Sequence, residues 1–144
     1  MTKADEIKQA CETAWDANKS DCSGFVRAVA TKLGLALDGN ADAIVDRIRH
    51  PASGWSNGGP LFAQRQAELG QLVIGGLRGA DQVHPDAHGH VVVVVAGPLD
   101  PQHGKYPHAY WGRLGSVGMK DATINLAWRE VDRDNVVYGA IAPA

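Results

Sequence analysis

Cys22, in Ser20-Asp21-Cys22-Ser23-Gly24-Phe25, stands where a thiol can act as a nucleophile. Asp21 is a good N-cap, so the sulfur falls on the first residue of a helix. There it faces N–H groups without intrahelical acceptors and the positive end of the helix dipole. That placement is expected to favour thiolate over thiol, each unit of pKa being worth ~1.4 kcal/mol between the two forms. Gly24 leaves no side chain beside the sulfur, an opening for a substrate backbone. Cys11 lies on the apolar face of a different helix and reads as a structural thiol.

A cysteine nucleophile needs a base. His90, in Gly89-His90-Val91, enters a β-branched run, and a strand holds an imidazole rigidly enough for acyl transfer. Its plain alternative is a surface histidine at a strand start. A third group usually orients such an imidazole; His108 and the backbone carbonyls around Tyr110-Trp111 both remain open for that role. Trp55, Tyr106, Tyr110 and Trp111 are aromatic candidates for a cleft wall, although Trp in an antiparallel sheet is more often core. His84, His88 and His90 form H-x-x-x-H-x-H, but Pro85 and Gly89 break any helix that would align them, and no zinc-type spacing follows. Neither metal nor cofactor is expected, and His84 and His88 read as loop residues.

The elements that must position these groups come from periodicity. Apolar residues at helical spacing give helices over 5–15, 22–33 (ending at Gly34), 41–50 (closed by Pro51) and 61–69. A Gly/Ser loop, 51–60, carries Trp55. From Gly70 the pattern changes to strands: 72–74, then a turn around Gly75, Gly76 and Gly79, then 91–95, 108–114 and 136–141, with Trp128 on an unassigned stretch. The Val91–Val95 run is expected to be buried on both faces. Helices first and strands after predict an α+β fold with a mostly antiparallel sheet, in one domain over 1–144.

Composition narrows the class further. Apolar residues make up 44% and charged residues 21% of the 144, which excludes wholesale disorder. A net charge of −2 without a basic tract argues against nucleic acid or anionic lipid as partner. No apolar run is long enough to insert in a membrane, and residues 1–14 lack the apolar core of a secretory signal. The chain is therefore expected either to stay in the cytoplasm or to leave by a route that ignores such signals.

The stretch Asp21-Cys22-Ser23-Gly24-Phe25-Val26 resembles the nucleophile motif of NlpC-type papain-like peptidoglycan endopeptidases. It is more similar still to that of the type VI secretion amidase effectors. The likeness continues in order through Ala10-Cys11 to Trp15-Asp16, Gly39 to Asp46, Leu72-Val73-Ile74, Gly89-His90-Val91, Gly97-Pro98-Leu99, Lys105-Tyr106-Pro107 and Asp132-Arg133-Asp134. The order of Cys22 before His90 matches that of papain-like hydrolases.

This resemblance implies a papain-like fold and a small antibacterial toxin, delivered by a contractile secretion apparatus into the target's periplasm and neutralised by a cognate immunity protein. It implies hydrolysis of the bond between D-glutamate (through its γ-carboxyl) and meso-diaminopimelate in peptidoglycan stem peptides. Cys22 would be the nucleophile and His90 the base, with a thioester intermediate and an oxyanion held by the backbone N–H of Cys22 or Ser23. Asp21, Gly24, Trp55 and Tyr110 are candidate substrate contacts. Arg27, Lys105, Arg113 and Arg129 are unranked partners for substrate carboxylates. A monomer is expected. The rival readings are a non-catalytic cell-wall-binding module and a host-directed cysteine protease or deamidase on the same fold.

Overall fold

The computed structural model describes residues 1–144. Helix α1 spans Lys3–Asn18 and opens with a reciprocal capping box between Thr2 and Asp5. Helix α2 spans Cys22–Lys32, with Asp21 at its N-cap, and ends before Gly34, whose φ of 77° takes the left-handed turn that stops the helix. Helix α3 covers Ala41–Arg49, capped by Asn40, and helix α4 covers Pro60–Glu68, with proline in its first turn.

Six strands follow the chain as β1 (Ser56–Gly58), β2 (Leu72–Leu77), β3 (His90–Val94), β4 (His108–Trp111), β5 (Met119–Thr123) and β6 (Val137–Ile141). They form one sheet in the order β1-β6-β2-β3-β4-β5, every pair antiparallel. The α+β class read from the sequence is what the chain adopts.

Strand β3 shows why the valine run was legible. Val91, Val93 and Val95 face the helices, where they pack with Phe25, Val26, Ile44 and Ile48 of α2 and α3. Val92 and Val94 face the other way, into a second core with Trp111, Ile124, Trp128 and Tyr138. Both layers are sealed, so alternation in polarity has no place in this strand.

Two strands lie where none was expected. Strand β1 falls inside the Gly/Ser loop, with its three residues paired to β6; the side chain of Asn57 donates to the carbonyls of Ile48 (2.8 Å) and Tyr138 (3.2 Å). Strand β5 is polar and mostly exposed, and Asp121 within it has φ 45°. Strand β2 runs straight through Gly75 and Gly76 instead of turning there. A side chain at Gly76 would meet Val45 of α3, so glycine lets the helix lie close on the sheet.

The segments carrying Lys105-Tyr106-Pro107 and Asp132-Arg133-Asp134 dock on each other. The Tyr106 hydroxyl donates to Asp134 (2.8 Å), Lys105 pairs with the same carboxylate (3.1 Å), and the Arg133 guanidinium lies 4.9 Å from the Tyr106 ring centre. Asp100 anchors the loop from beneath. It is buried and accepts from the backbone of His103, Lys105 and Tyr106, and these bonds hold its carboxyl far below the usual range against the cost of burial.

Candidate active site

Helix α2 lies across β3, so the start of the helix sits at the start of the strand and brings Cys22 and His90 to one cleft. That cleft holds about 700 Å³ and is lined by both residues together with Gln82, Asp86, Arg113, Leu126, Trp128 and Asp132, among others. A smaller lobe of about 80 Å³ continues past the sulfur between Asp21, Asn40, Asp42 and Gly89. Cys22 borders both lobes.

The Asp21 carboxylate accepts from the Gly24 N–H (3.0 Å) and the Ser23 hydroxyl (3.3 Å). The N–H groups of Val91 on β3, Ser23 and Cys22 act in the opposite sense to burial at the sulfur, favouring its thiolate. Removing the cap in Asp21→Ala is expected to cost about 1 kcal/mol, a fall in melting temperature of roughly 2–6 °C. An unchanged thermal midpoint would show that the cap does not hold the helix start.

Burial wins over the helix end at this thiol. Cys22 is only 5% exposed, and loss of solvent pushes its pKa up, against the lowering by the N–H groups of Val91, Ser23 and Cys22. The expected thiolate bias is thus corrected: in the resting protein the sulfur is a buried thiol. His90 is neutral as well, its pKa brought down to about 3 by burial first and then by the charge of Arg113. The imidazole meets the Trp128 ring edge-on at 5.1 Å, and its Nε2 is buried with no hydrogen-bond partner. The cleft therefore pairs a neutral thiol with a neutral imidazole.

Several sequence candidates lie elsewhere. Continuing the β3–β4 register pairs His108 with the far end of β3, where its Nδ1 meets the Asp121 carboxylate at 3.1 Å, so it does not orient His90. The Trp111 carbonyl accepts from the Trp15 indole (3.0 Å), and nothing near it reaches the imidazole. Tyr110 points to the helical face, with its hydroxyl on Glu12, and Tyr106 is buried in the opposite core. Trp55 packs by Gly139 at the β1–β6 edge, three strands from β3. Gly24 borders neither lobe. A side chain there would strike the Asp21 carboxylate, so glycine serves the cap and not an approaching substrate.

Two contributors had no sequence signal. The Val91 N–H is a backbone donor, invisible in residue type, and Trp128 reaches His90 from a loop far along the chain. Arg113 and Arg129 both line the cleft, whereas Arg27 and Lys105 do not. His88 stands exposed at the rim and His84 lies outside it; no group of three His, Cys, Asp or Glu side chains is close enough to hold a metal.

An α+β domain that sets a helix-start cysteine against a strand-start histidine in one cleft is compatible with the papain-like class. No protein-family model matches the chain. It is, however, 37% identical over 143 residues to the peptidoglycan amidase Tse1 of Pseudomonas aeruginosa, an alignment covering 92% of this chain and 86% of that protein. The chain belongs to the family of that amidase, the effector family whose motifs were identified above.

Proposed function

We propose that this protein is a peptidoglycan amidase, an antibacterial effector that hydrolyses the γ-D-glutamyl–meso-diaminopimelate bond through a Cys22 thioester. The observation that carries the reading is the shared cleft of Cys22 and His90, and the identity to a peptidoglycan amidase supports it.

The chemistry follows from two neutral partners. As Cys22 Sγ attacks the γ-carbonyl carbon, His90 takes the thiol proton, so charge separates only when the new C–S bond forms. Nε2 is buried without a hydrogen-bond partner, which leaves Nδ1 as the nitrogen for this transfer. The oxyanion is met by the N–H groups of the first turn, Cys22 and Ser23, where one lost donor typically costs on the order of 10²–10³ in rate. His90 then gives its proton to the departing diaminopimelate amine. It takes another from the water that cleaves the thioester and passes it to the departing sulfur, which leaves a free thiol, a neutral imidazole and the γ-carboxylate, whose acid proton goes to solvent.

Substrate is thus a stem peptide outside the cytoplasm. Delivery by a type VI-like apparatus into the target periplasm, restraint by a cognate immunity protein and action as a single-domain monomer complete the proposal. No helix is long and apolar enough to cross a membrane.

Digestion of purified sacculi and defined tetrapeptide muropeptides, read by mass spectrometry, tests it. A cut that frees the diaminopimelate amine from D-glutamate is expected. No cut, or a cut at another amide, overturns the assignment and returns the protein to a binding role or to a different protein substrate.

A further inference from the structure

We propose that Arg113 is the specificity residue of this cleft, binding a carboxylate of the stem peptide next to the scissile amide; this rests on the amidase reading above. The four cations left unranked by the sequence separate cleanly in the structure. Arg27 gives its Nη1 to the Gly39 carbonyl (2.9 Å) away from the cleft, and Lys105 is paired with Asp134. Arg129 reaches the rim as an exposed side chain, with no hydrogen bond of its own to fix it. Arg113 alone is both in the cleft and fixed.

Its anchoring is entirely to main chain. The Arg113 N–H donates to the Lys19 carbonyl (3.0 Å), just before α2, and its Nη2 donates to the carbonyls of Leu126 (3.3 Å) and Ala127 (3.2 Å). Those carbonyls precede Trp128, the residue against His90. Arg113 and His90 line the same cleft, and the charge of Arg113 is felt at that imidazole.

What the guanidinium lacks is a counter-charge. It forms no ion pair with any carboxylate of the protein. The two acidic side chains lining the same lobe are engaged locally: Asp132 accepts from the Val83 N–H (2.8 Å) and Asp86 from the His88 N–H (3.2 Å). Nε and Nη1 of Arg113 are neither buried nor bonded to protein. A half-buried arginine with part of its donor fork free is built to take a planar anion. Because main chain holds it in place beforehand, little side-chain entropy is lost on binding.

The substrate supplies that anion on either side of the bond. D-Glutamate carries a free α-carboxylate on the acyl side; on the amine side the diaminopimelate carboxyl beside the cut is itself an amide to D-alanine, and the free carboxylate is that of its distal, D-configured centre. The chemistry at Arg113 is the same for both, and single amidation tells them apart.

The experiment compares kcat/KM for the unmodified tetrapeptide, the peptide with D-isoglutamine and the peptide with amidated diaminopimelate. For wild-type protein, amidation at the recognised position is expected to lower kcat/KM about 10- to 100-fold, the loss of one charge-assisted hydrogen-bonded pair. Arg113→Gln loses a similar factor on the unmodified peptide and nothing further on that amide, while Arg113→Lys keeps part of the rate. Equal wild-type rates on all three peptides overturn the inference without using any variant. So do losses from amidation and from Arg113→Gln that simply multiply. Failure of wild type to cut even the unmodified peptide overturns the amidase reading itself, and the inference with it.

Discussion

Cys22→Ala is expected to lose at least about 10³–10⁴-fold in muropeptide hydrolysis, because no thioester can form without the sulfur. Its melting temperature should stay within a few degrees of wild type, since the change removes one buried heavy atom and leaves the capped helix start in place. Hydrolysis retained by this folded variant would remove the nucleophile from the scheme. The same thiol can be probed without mutation. Burial raises its pKa, so iodoacetamide labelling should be slow near neutral pH and accelerate as pH rises into the alkaline range, with no plateau at pH 6–7. Labelling at Cys22 should still far exceed that at Cys11, which is wholly buried and whose thiol is pushed up further still. Preferential modification of Cys11, or full reactivity of Cys22 in mild acid, would contradict the burial argument.

The second large effect belongs to His90. His90→Gln is expected to cost about 10²–10⁴-fold in kcat, the usual range for one general acid–base group. The same variant should behave differently from wild type in acid. In the folded protein His90 protonates only at about 3, whereas in the unfolded chain it does so near ~6.5. Between those values the unfolded chain holds the extra proton, so wild-type stability rises with pH through this window and is lost as pH falls through it. The slope is at most ~1.4 kcal/mol per pH unit. Thermal melts from pH 7 to pH 4 should therefore fall more steeply for wild type than for His90→Gln. Parallel curves would show that the imidazole is not held neutral.

Cys22 and His90, the pair proposed for this site, stand out in the sequence because their signals are local. An Asp before a Cys at a helix start, and a His leading into unbroken valines, each depend on only a few neighbours. Register is not local. Nothing in His108, Tyr110 or Trp55 announces which end or face of the sheet it will occupy, and the pairing of β4 with β3 carries His108 to the wrong end. Strands β1 and β5 were missed for a related reason: Ser56-Asn57-Gly58 and Met119-Lys120-Asp121 have little strand preference of their own and are recruited by a partner. The direction of the Cys22 shift was misread because a helix dipole can be inferred from sequence, while the loss of solvent above it appears only after the cleft is built.

These same borrowed strands decide how the molecule behaves in a crowd. An open sheet normally offers its outermost backbone to any passing extended chain. Here one margin ends in a three-residue strip and the other in a polar one, with Lys120 and a left-handed Asp121 breaking its flatness. Neither margin offers the long, flat, apolar backbone on which a further strand would be laid.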